Sequence, residues 1–194
     1  MQKKYFKHVR VLFLCFTLVL LASCSSDDDN GGDDKLPTGD LGTIEFTYTG
    51  DEEGEGKGMA DFSYVPEANI WSIDGHDALD GENQTFSFSI AKRQDDDTRP
   101  ETGTYTLGWI NDDFGASIEI IEDNNFDNIR DYSTYPEDQG GELGTLEITY
   151  SSDSKIEGEF EFKAYHEILN EDDFVEEVKE IEIKGKFSAH EIIN

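Results

Sequence analysis

Apolar and polar residues alternate in short runs along most of the chain after residue 42. The run TIEFTYT places Ile44, Phe46 and Tyr48 on one face and polar side chains on the other. Alternation with a period of two is typical of a strand with one buried face. The same pattern predicts further strands at residues 69–73, 85–90, 104–107, 117–120, 145–150, 159–164 and 181–187.

Glycines and Asp/Asn pairs separate these runs, as expected for turns between short strands. Residues 51–53, 74–75 and 95–97 are predicted turns of this kind. We therefore predict an all-β fold, an antiparallel β-sandwich of about eight to ten strands built from hairpins. The alternative is a closed up-and-down barrel.

One segment, residues 165–179 (YHEILNEDDFVEEVK), allows two interpretations. A helix would place Phe174 and Val178 one turn apart, with Asp172 and Asp173 suited to its N-terminus. A long hairpin would instead turn at residues 170–173. Because both flanking segments alternate, the hairpin is favoured.

Residues 1–23 have the composition of a lipoprotein signal peptide. Basic residues precede a run of about twelve apolar or small residues, too short for a membrane-spanning helix, which needs roughly twenty. The sequence LASC that ends at Cys24 resembles a bacterial lipobox, which implies cleavage before Cys24 and attachment of lipid to its thiol. Two acyl chains give stable anchoring. The alternative is an ordinary secretory signal with an incidental cysteine.

The only other cysteine, Cys15, lies within the signal, so no disulfide is expected. Residues 24–40 are acidic and almost free of apolar side chains, and we expect a disordered tether there. Residues 41–194 are long enough for a single β domain.

The run that follows the lipobox is Ser25, Ser26, Asp27, Asp28 and Asp29. It resembles the surface-export signal of Bacteroidota lipoproteins. The resemblance implies an outer-membrane lipoprotein at the cell surface. A plain spacer, with the domain facing the periplasm, is the alternative.

The charge balance restricts the partners. The chain has 15 basic and 45 acidic residues and a net charge of −30, and removal of the four basic residues of the signal leaves −34. A surface this negative repels nucleic acid and attracts cations. We expect no nucleic-acid partner; the expected partners are a membrane, through the lipid, and an unidentified protein or glycan.

Catalytic motifs are absent from the sequence. His76, His166 and His190 are far apart, and no nucleophile elbow or phosphate-binding glycine loop is present. His76 and Asp77 are interpreted as an exposed turn rather than part of a triad. We therefore expect a protein that is not an enzyme.

One acidic loop could bind calcium. Asp123, Asn125, Asp127 and Asp131 supply oxygen ligands at positions one, three, five and nine of a calcium loop. Position six is Asn128 instead of glycine, and position twelve is Thr134 instead of glutamate. A solvated acidic loop is the favoured interpretation, and no other cofactor is expected.

Two tryptophans could form a platform for stacking sugars. Trp71 and Trp109 both lie in or beside alternating runs, and Trp109 is in register with Tyr105 and Leu107. A tryptophan on such a strand is more often part of the core. Burial is therefore the favoured interpretation for both.

Four motifs, TGTYTLG (102–108), GTLEITY (144–150), KIEGEFEFKA (155–164) and IEIKGKFSA (181–189), follow one another in the second half of the chain. Their Gly-Thr strand openings and closing hairpin resemble an uncharacterised β-rich domain of Bacteroidota lipoproteins. The resemblance implies no activity and no active-site residues. This chain differs in its high acidity and in the long tip of its last hairpin.

These observations predict a membrane-anchored lipoprotein with a non-catalytic interaction domain of unknown ligand. Two alternatives remain open. One is a small-molecule carrier, which would need a barrel with a cavity. The other is a glycan-binding module of a polysaccharide-uptake system.

Substitution Cys24→Ser is expected to release the protein from the membrane fraction, because the thiol is the predicted lipid attachment point. Fractionation and labelling with a radioactive fatty acid check this. A variant that still sediments with membranes and still takes up label would contradict the lipobox assignment.

Overall fold

The computed structural model describes residues 42–77, 84–93, 98–108, 113–122, 129–134, 142–170 and 174–192. Within these ranges the chain forms ten strands and no helix. The strands are β1 (Thr43–Gly50), β2 (Gly54–Val65), β3 (Ile70–His76), β4 (Phe86–Arg93), β5 (Gly103–Gly108), β6 (Gly115–Ile121), β7 (Ile129–Ser133), β8 (Glu142–Ser151), β9 (Lys155–Leu169) and β10 (Val175–Glu191).

The predicted all-β, antiparallel fold of eight to ten strands is confirmed. Each of the eight alternating runs corresponds to a strand, although Asn69 and Thr85 lie just before β3 and β4, and the segment 165–179 is a hairpin in which Val175 pairs with Leu169. The alternation did not predict β2 or β7. The turn predicted at Asp74 and Gly75 is wrong, because both residues lie inside β3 and pair with strands on either side.

All ten strands belong to one sheet whose pairing closes into a ring, an arrangement consistent with a sandwich or barrel-like fold. The ring runs β1–β2–β3–β4–β6–β7–β9–β10 and returns to β1. Its narrowest link is between β7 and β9, where only Ser133 and Tyr165 pair. Strands β8 and β5 continue from the first half of β9, and a bridge between Leu107 and Phe114 joins β5 to the start of β6.

The longest hairpin, β9–β10, connects most of the other strands. Strand β10 pairs with β9 over nearly its whole length, with β1 over residues 181–188, and with β2 at His190 and Glu191. Strand β9 pairs with β8 on its other side. Strand β9 also meets β7 at Tyr165, so the register of this hairpin sets the positions of four further strands, β1, β2, β7 and β8.

The interior of the ring is filled by inward-facing side chains. Phe88 and Phe160 stack with ring centroids 4.7 Å apart, and Phe46 meets Phe86 edge-on at 5.0 Å. Such aromatic pairs add about 0.5–1.5 kcal/mol to the effect of burying their area. A second cluster near one end contains Phe62, Trp71, Tyr105 and Phe114.

Glycines lie opposite the aromatic rings on neighbouring strands. Phe46 pairs with Gly56 on β2 and with Gly185 on β10, and Gly185 also pairs with Phe160 on β9. A Cβ atom at Gly185 would lie 2.6 Å from Cζ of Phe160 and 2.7 Å from Cβ of Phe46. The missing side chain is therefore what lets the rings cover the adjacent backbone.

The outer face of β9, β10 and β1 carries charged pairs. Lys186 and Glu45 are 2.8 Å apart, and Lys184 lies 2.9 Å from Glu161 and 2.7 Å from Glu182. These side chains are about half exposed, so solvent screens each pair and its effect on stability is small. The alternation thus predicted the solvated face correctly.

Substitution Gly185→Ala is expected to destabilise the domain by about 3 kcal/mol, because the new methyl group would overlap two phenylalanines and the Glu45 carbonyl oxygen. The unfolding midpoint should fall by roughly 6–12 °C. Thermal unfolding of the unlipidated Cys24→Ser chain measures this. The exposed neighbour substitution Lys184→Ala is the control, and equal midpoints for the two variants would show that the glycine is not required.

Candidate functional site

The end of the β9–β10 hairpin extends past the strand beside it. Strand β1 pairs with β10 only as far as Gly50 and Ile181. Asp51 then closes the ladder: its N–H donates to the Glu180 carbonyl at 2.9 Å, and its carboxylate accepts the Glu180 N–H at 2.8 Å. Residues 175–179 of β10 pair, within the described chain, with β9 alone.

Two hydrogen bonds join Asn170 and Phe174, which follow β9 and precede β10. The Asn170 N–H donates to the Phe174 carbonyl at 2.9 Å, and the Asn170 side-chain oxygen accepts the Phe174 N–H at 3.1 Å. Three apolar side chains at this end of the hairpin are unusually exposed: Phe174 at 59%, Val175 at 50% and Val178 at 44%. Exposed apolar side chains grouped in one place often mark a contact surface.

The charges around this end are mostly negative. Glu176 and Glu177 are exposed, and a bulge between Val175 and Glu177 shifts the register beside them. Two lysines of this hairpin are paired with carboxylates, Lys163 with Glu180 at 2.6 Å and Lys179 with Glu52 at 3.1 Å. Among the described residues, the open edge therefore presents valines and glutamates for which no compensating cation is recorded.

The root of the hairpin is held by a half-buried ionic cluster. Glu52, in the β1–β2 turn, lies 2.8 Å from Nε of Arg130 on β7 and 3.1 Å from Nζ of Lys179 on β10. Burial alone would raise the pKa of Glu52, but Lys179 and Arg130 outweigh it and hold the pKa below its ordinary value. The cluster ties three elements together where the open edge begins.

A second polar feature is an acid pair between β2 and β3. Asp61 and Asp74 are direct cross-strand partners, and Asp61 is only 8% exposed. The hydroxyl of Ser72 donates to the Asp74 carboxylate at 2.6 Å, and Ser89 also bonds with it. Like charges placed opposite each other in a sheet repel. This pair therefore favours binding a proton.

Burial and the neighbouring Asp74 raise the pKa of Asp61 to about 7. Burial also raises the pKa of Asp74, although Ser72 and Ser89 oppose the shift. Near neutral pH the Asp61 carboxyl can therefore bind or release a proton. Within the part of the chain that the structure describes, no three histidine, cysteine or acidic side chains are grouped so that they could hold a metal ion.

The alternation missed this pair because it missed β2. The run MADFSYV does place Ala60, Phe62 and Tyr64 at a period of two, and it was the available signal. The preceding GEGKG has low strand propensity and obscured it. That Asp61 lies opposite Asp74 follows only from the register of the two strands.

The sequence predicts an exposed turn at His76, but the structure places this residue in a strand. It is the last residue of β3, half-buried and paired with Met59 and Ser87. Burial lowers its pKa below the ordinary value, although Asp74 and Asp77 oppose the shift.

The residues predicted for lipidation and export, Cys24, Ser25, Ser26, Asp27, Asp28 and Asp29, lie outside the described residues. Those assignments stay predictions. The described part of the chain contains no helix with the length and apolarity needed to cross a membrane.

Most of the predicted calcium loop, including Asp123, Asn125 and Asp127, also lies outside the described residues. Asp131 is exposed on β7 opposite Glu119, and its carbonyl oxygen is 3.0 Å from Nδ1 of His166. Thr134, at position twelve, is buried, and its hydroxyl donates to the Gly108 carbonyl at 2.9 Å. Binding of calcium stays an untested prediction.

Of the two tryptophans, Trp71 is 2% exposed and packs against Phe62 and Phe114. Its predicted place in the core is confirmed, and it cannot stack on a sugar at the surface. Trp109 lies outside the described residues.

Comparison with protein-family models, curated proteins and solved structures gives no match to this chain. The resemblance to a lipoprotein domain therefore stays a prediction. The basis for a function is the geometry of the described domain.

Substitution Asp61→Asn is expected to stabilise the protein above neutral pH. A carboxyl whose pKa is raised from 3.8 to about 7 on folding contributes stability that is full below pH 3.8 and lost as the pH rises through 7. The loss is at most about 4 kcal/mol. At pH 8 the variant should unfold roughly 5–10 °C higher than the parent, and near pH 4 at a similar temperature.

Unfolding midpoints measured between pH 4 and pH 8 test this expectation. Asp153→Asn is the matched control, because Asp153 is fully exposed and pairs only with Arg99 among the described residues. If Asp61→Asn and Asp153→Asn follow the same pH dependence, burial does not hold the Asp61 proton.

Proposed function

We propose that the chain is an outer-membrane lipoprotein, held by lipid on Cys24 and facing the cell surface, whose β domain is a non-catalytic binding module. One observation carries the proposal. The end of the β9–β10 hairpin leaves Phe174, Val175 and Val178 exposed on an edge that lacks a second strand within the described chain. Soluble domains commonly cover such edges.

The rigid root supports this role. The ladder between β1 and β10 ends at Asp51 and Glu180, and the Glu52 cluster holds the same point. The exposed end is therefore presented in a defined orientation, which lowers the entropy cost of binding.

The interior favours a binding module over a small-molecule carrier. A carrier needs a hollow barrel, whereas Phe88, Phe160 and Phe162 pack together inside the ring with centroids 4.7–6.2 Å apart. A ligand there would have to displace closely packed rings. The outer surface is the better place for a ligand.

The same surface favours a protein over a glycan as partner. Sugar stacking needs an exposed aromatic platform; Trp71 is buried, and of the three exposed apolar side chains at the hairpin end only Phe174 is aromatic. The hairpin end offers valines and, at Val178, backbone groups that have no partner strand among the described residues, and both suit a polypeptide.

A photo-crosslinking residue placed at position 178 in intact cells is expected to form a discrete adduct with a protein partner, because Val178 lies on the exposed edge. Position 147 is the control, since Glu147 is equally on the surface but lies on β8, within the paired sheet. Electrophoresis with an antibody to the domain detects the adduct, and mass spectrometry of its tryptic peptides should identify a second protein.

The adduct should also disappear in the Cys24→Ser background, where the domain is no longer held at the membrane. Equal adducts from positions 178 and 147, or none from 178, would contradict the proposal. An adduct that loses its added mass on glycosidase treatment and yields no peptides of a second protein would instead indicate glycan binding.

A further inference from the structure

We infer that the open edge of β10, residues 175–179, binds an extended segment of a basic protein as an additional antiparallel or parallel strand. This inference rests on the proposed binding function and adds the mode of binding and the charge of the partner.

The backbone geometry indicates where a strand would pair. The N–H and the carbonyl of Glu180 both face the side of β1, because both bond with Asp51. Residues two apart in a strand direct their backbone groups to the same side. Val178 therefore directs its N–H and carbonyl to the open edge, where the described chain provides no partner strand.

The side chains at this edge suit strand addition. Val175 and Val178 are β-branched and exposed, and such residues favour packing against a neighbouring strand. The edge is short, so the partner would gain a few backbone hydrogen bonds and contact with two valines. Strand addition of this kind derives its affinity from backbone bonds and its selectivity from side chains.

Charge determines the kind of segment. Glu176 and Glu177 are exposed beside the edge, and Lys163 and Lys179 of the same hairpin are paired with carboxylates. The whole chain has a net charge of −30. A segment rich in lysine or arginine would supply the missing cations and would be attracted over a distance.

The same charges disfavour a second copy of this chain as the occupant. Two copies paired at this edge would bring their exposed glutamates together, and like charges opposite each other in a sheet are destabilising. The bulge between Val175 and Glu177 also interrupts a regular edge, as is common where self-pairing is avoided.

A synthetic peptide of alternating lysine and valine, eight residues long and fluorescently labelled, is the test probe. Its binding to the unlipidated Cys24→Ser chain is measured by anisotropy at physiological salt. We expect saturable binding that weakens at least about tenfold when alternate backbone nitrogens of the peptide are methylated, since methylation removes the ladder donors. A peptide with glutamate in place of lysine should not bind.

Two pairs of variants locate the site. Val178→Pro removes the N–H on the open edge without removing a bond to β9, and it should abolish binding, whereas Val175→Ala should weaken it only slightly. Glu177→Lys should weaken binding strongly, and Glu147→Lys, on β8, should not. Circular dichroism confirms that each variant is folded.

If the methylated peptide binds as tightly as the unmethylated one, or if Val178→Pro binds the peptide fully, strand addition is wrong. The peptide would then be held by attraction between opposite charges alone. If the chain forms a concentration-dependent dimer, and if Val178→Pro abolishes that dimer, the edge binds a second copy of the chain and the inference is wrong. Either result is distinguishable from failure of the proposed function, because the adduct formed at position 178 in cells does not depend on this peptide.

Discussion

The fold depends on phenylalanine rings that pack against glycines on the adjacent strands. Phe46 lies between Gly56 and Gly185, and Gly185 also admits the ring of Phe160 from β9. Because these positions carry no side chain, each ring covers the neighbouring backbone and leaves little empty space. The sheet can then curve around a filled aromatic interior. Every other feature, including the edge at the hairpin end, is positioned by this packing.

The β9–β10 hairpin links that interior to the surface. Over most of its length it is the centre of the sheet, with β8 and β1 on its two sides. Past Asp51 and Glu180 the same two strands continue without a neighbour on the β10 side among the described residues. An edge that is rigid at its root and open at its end has little conformational freedom to lose on binding.

Negative charge is handled differently in three parts of the molecule. On the outer face of β9 and β10, Lys184 and Lys186 pair with glutamates of adjacent strands. Between β2 and β3, Asp61 binds a proton more readily because it is buried beside Asp74. At the hairpin end Glu176 and Glu177 are exposed, and the described part of the chain shows no cation paired with them. An uncompensated charge costs least free energy where solvent or a partner can reach it. The glutamates at the hairpin end are in such a position, beside the exposed valines.

The sequence by itself determined the strand character of most of the chain, the hairpin at residues 165–179 and the burial of Trp71. These properties are local, because alternation and turn residues act between near neighbours. The tertiary structure decided what depends on register: that the glycine-rich β2 is a strand, that Asp74 and Gly75 do not form a turn, and that Asp61 meets Asp74. Glycine and the Asp-Gly pair have weak or contrary local preferences, and cross-strand packing of rings from distant segments overrides them. The sequence also could not predict the open edge at Val178. This edge exists because the pairing of β1 with β10 stops at Ile181, whereas the pairing of β9 with β10 extends to Val175.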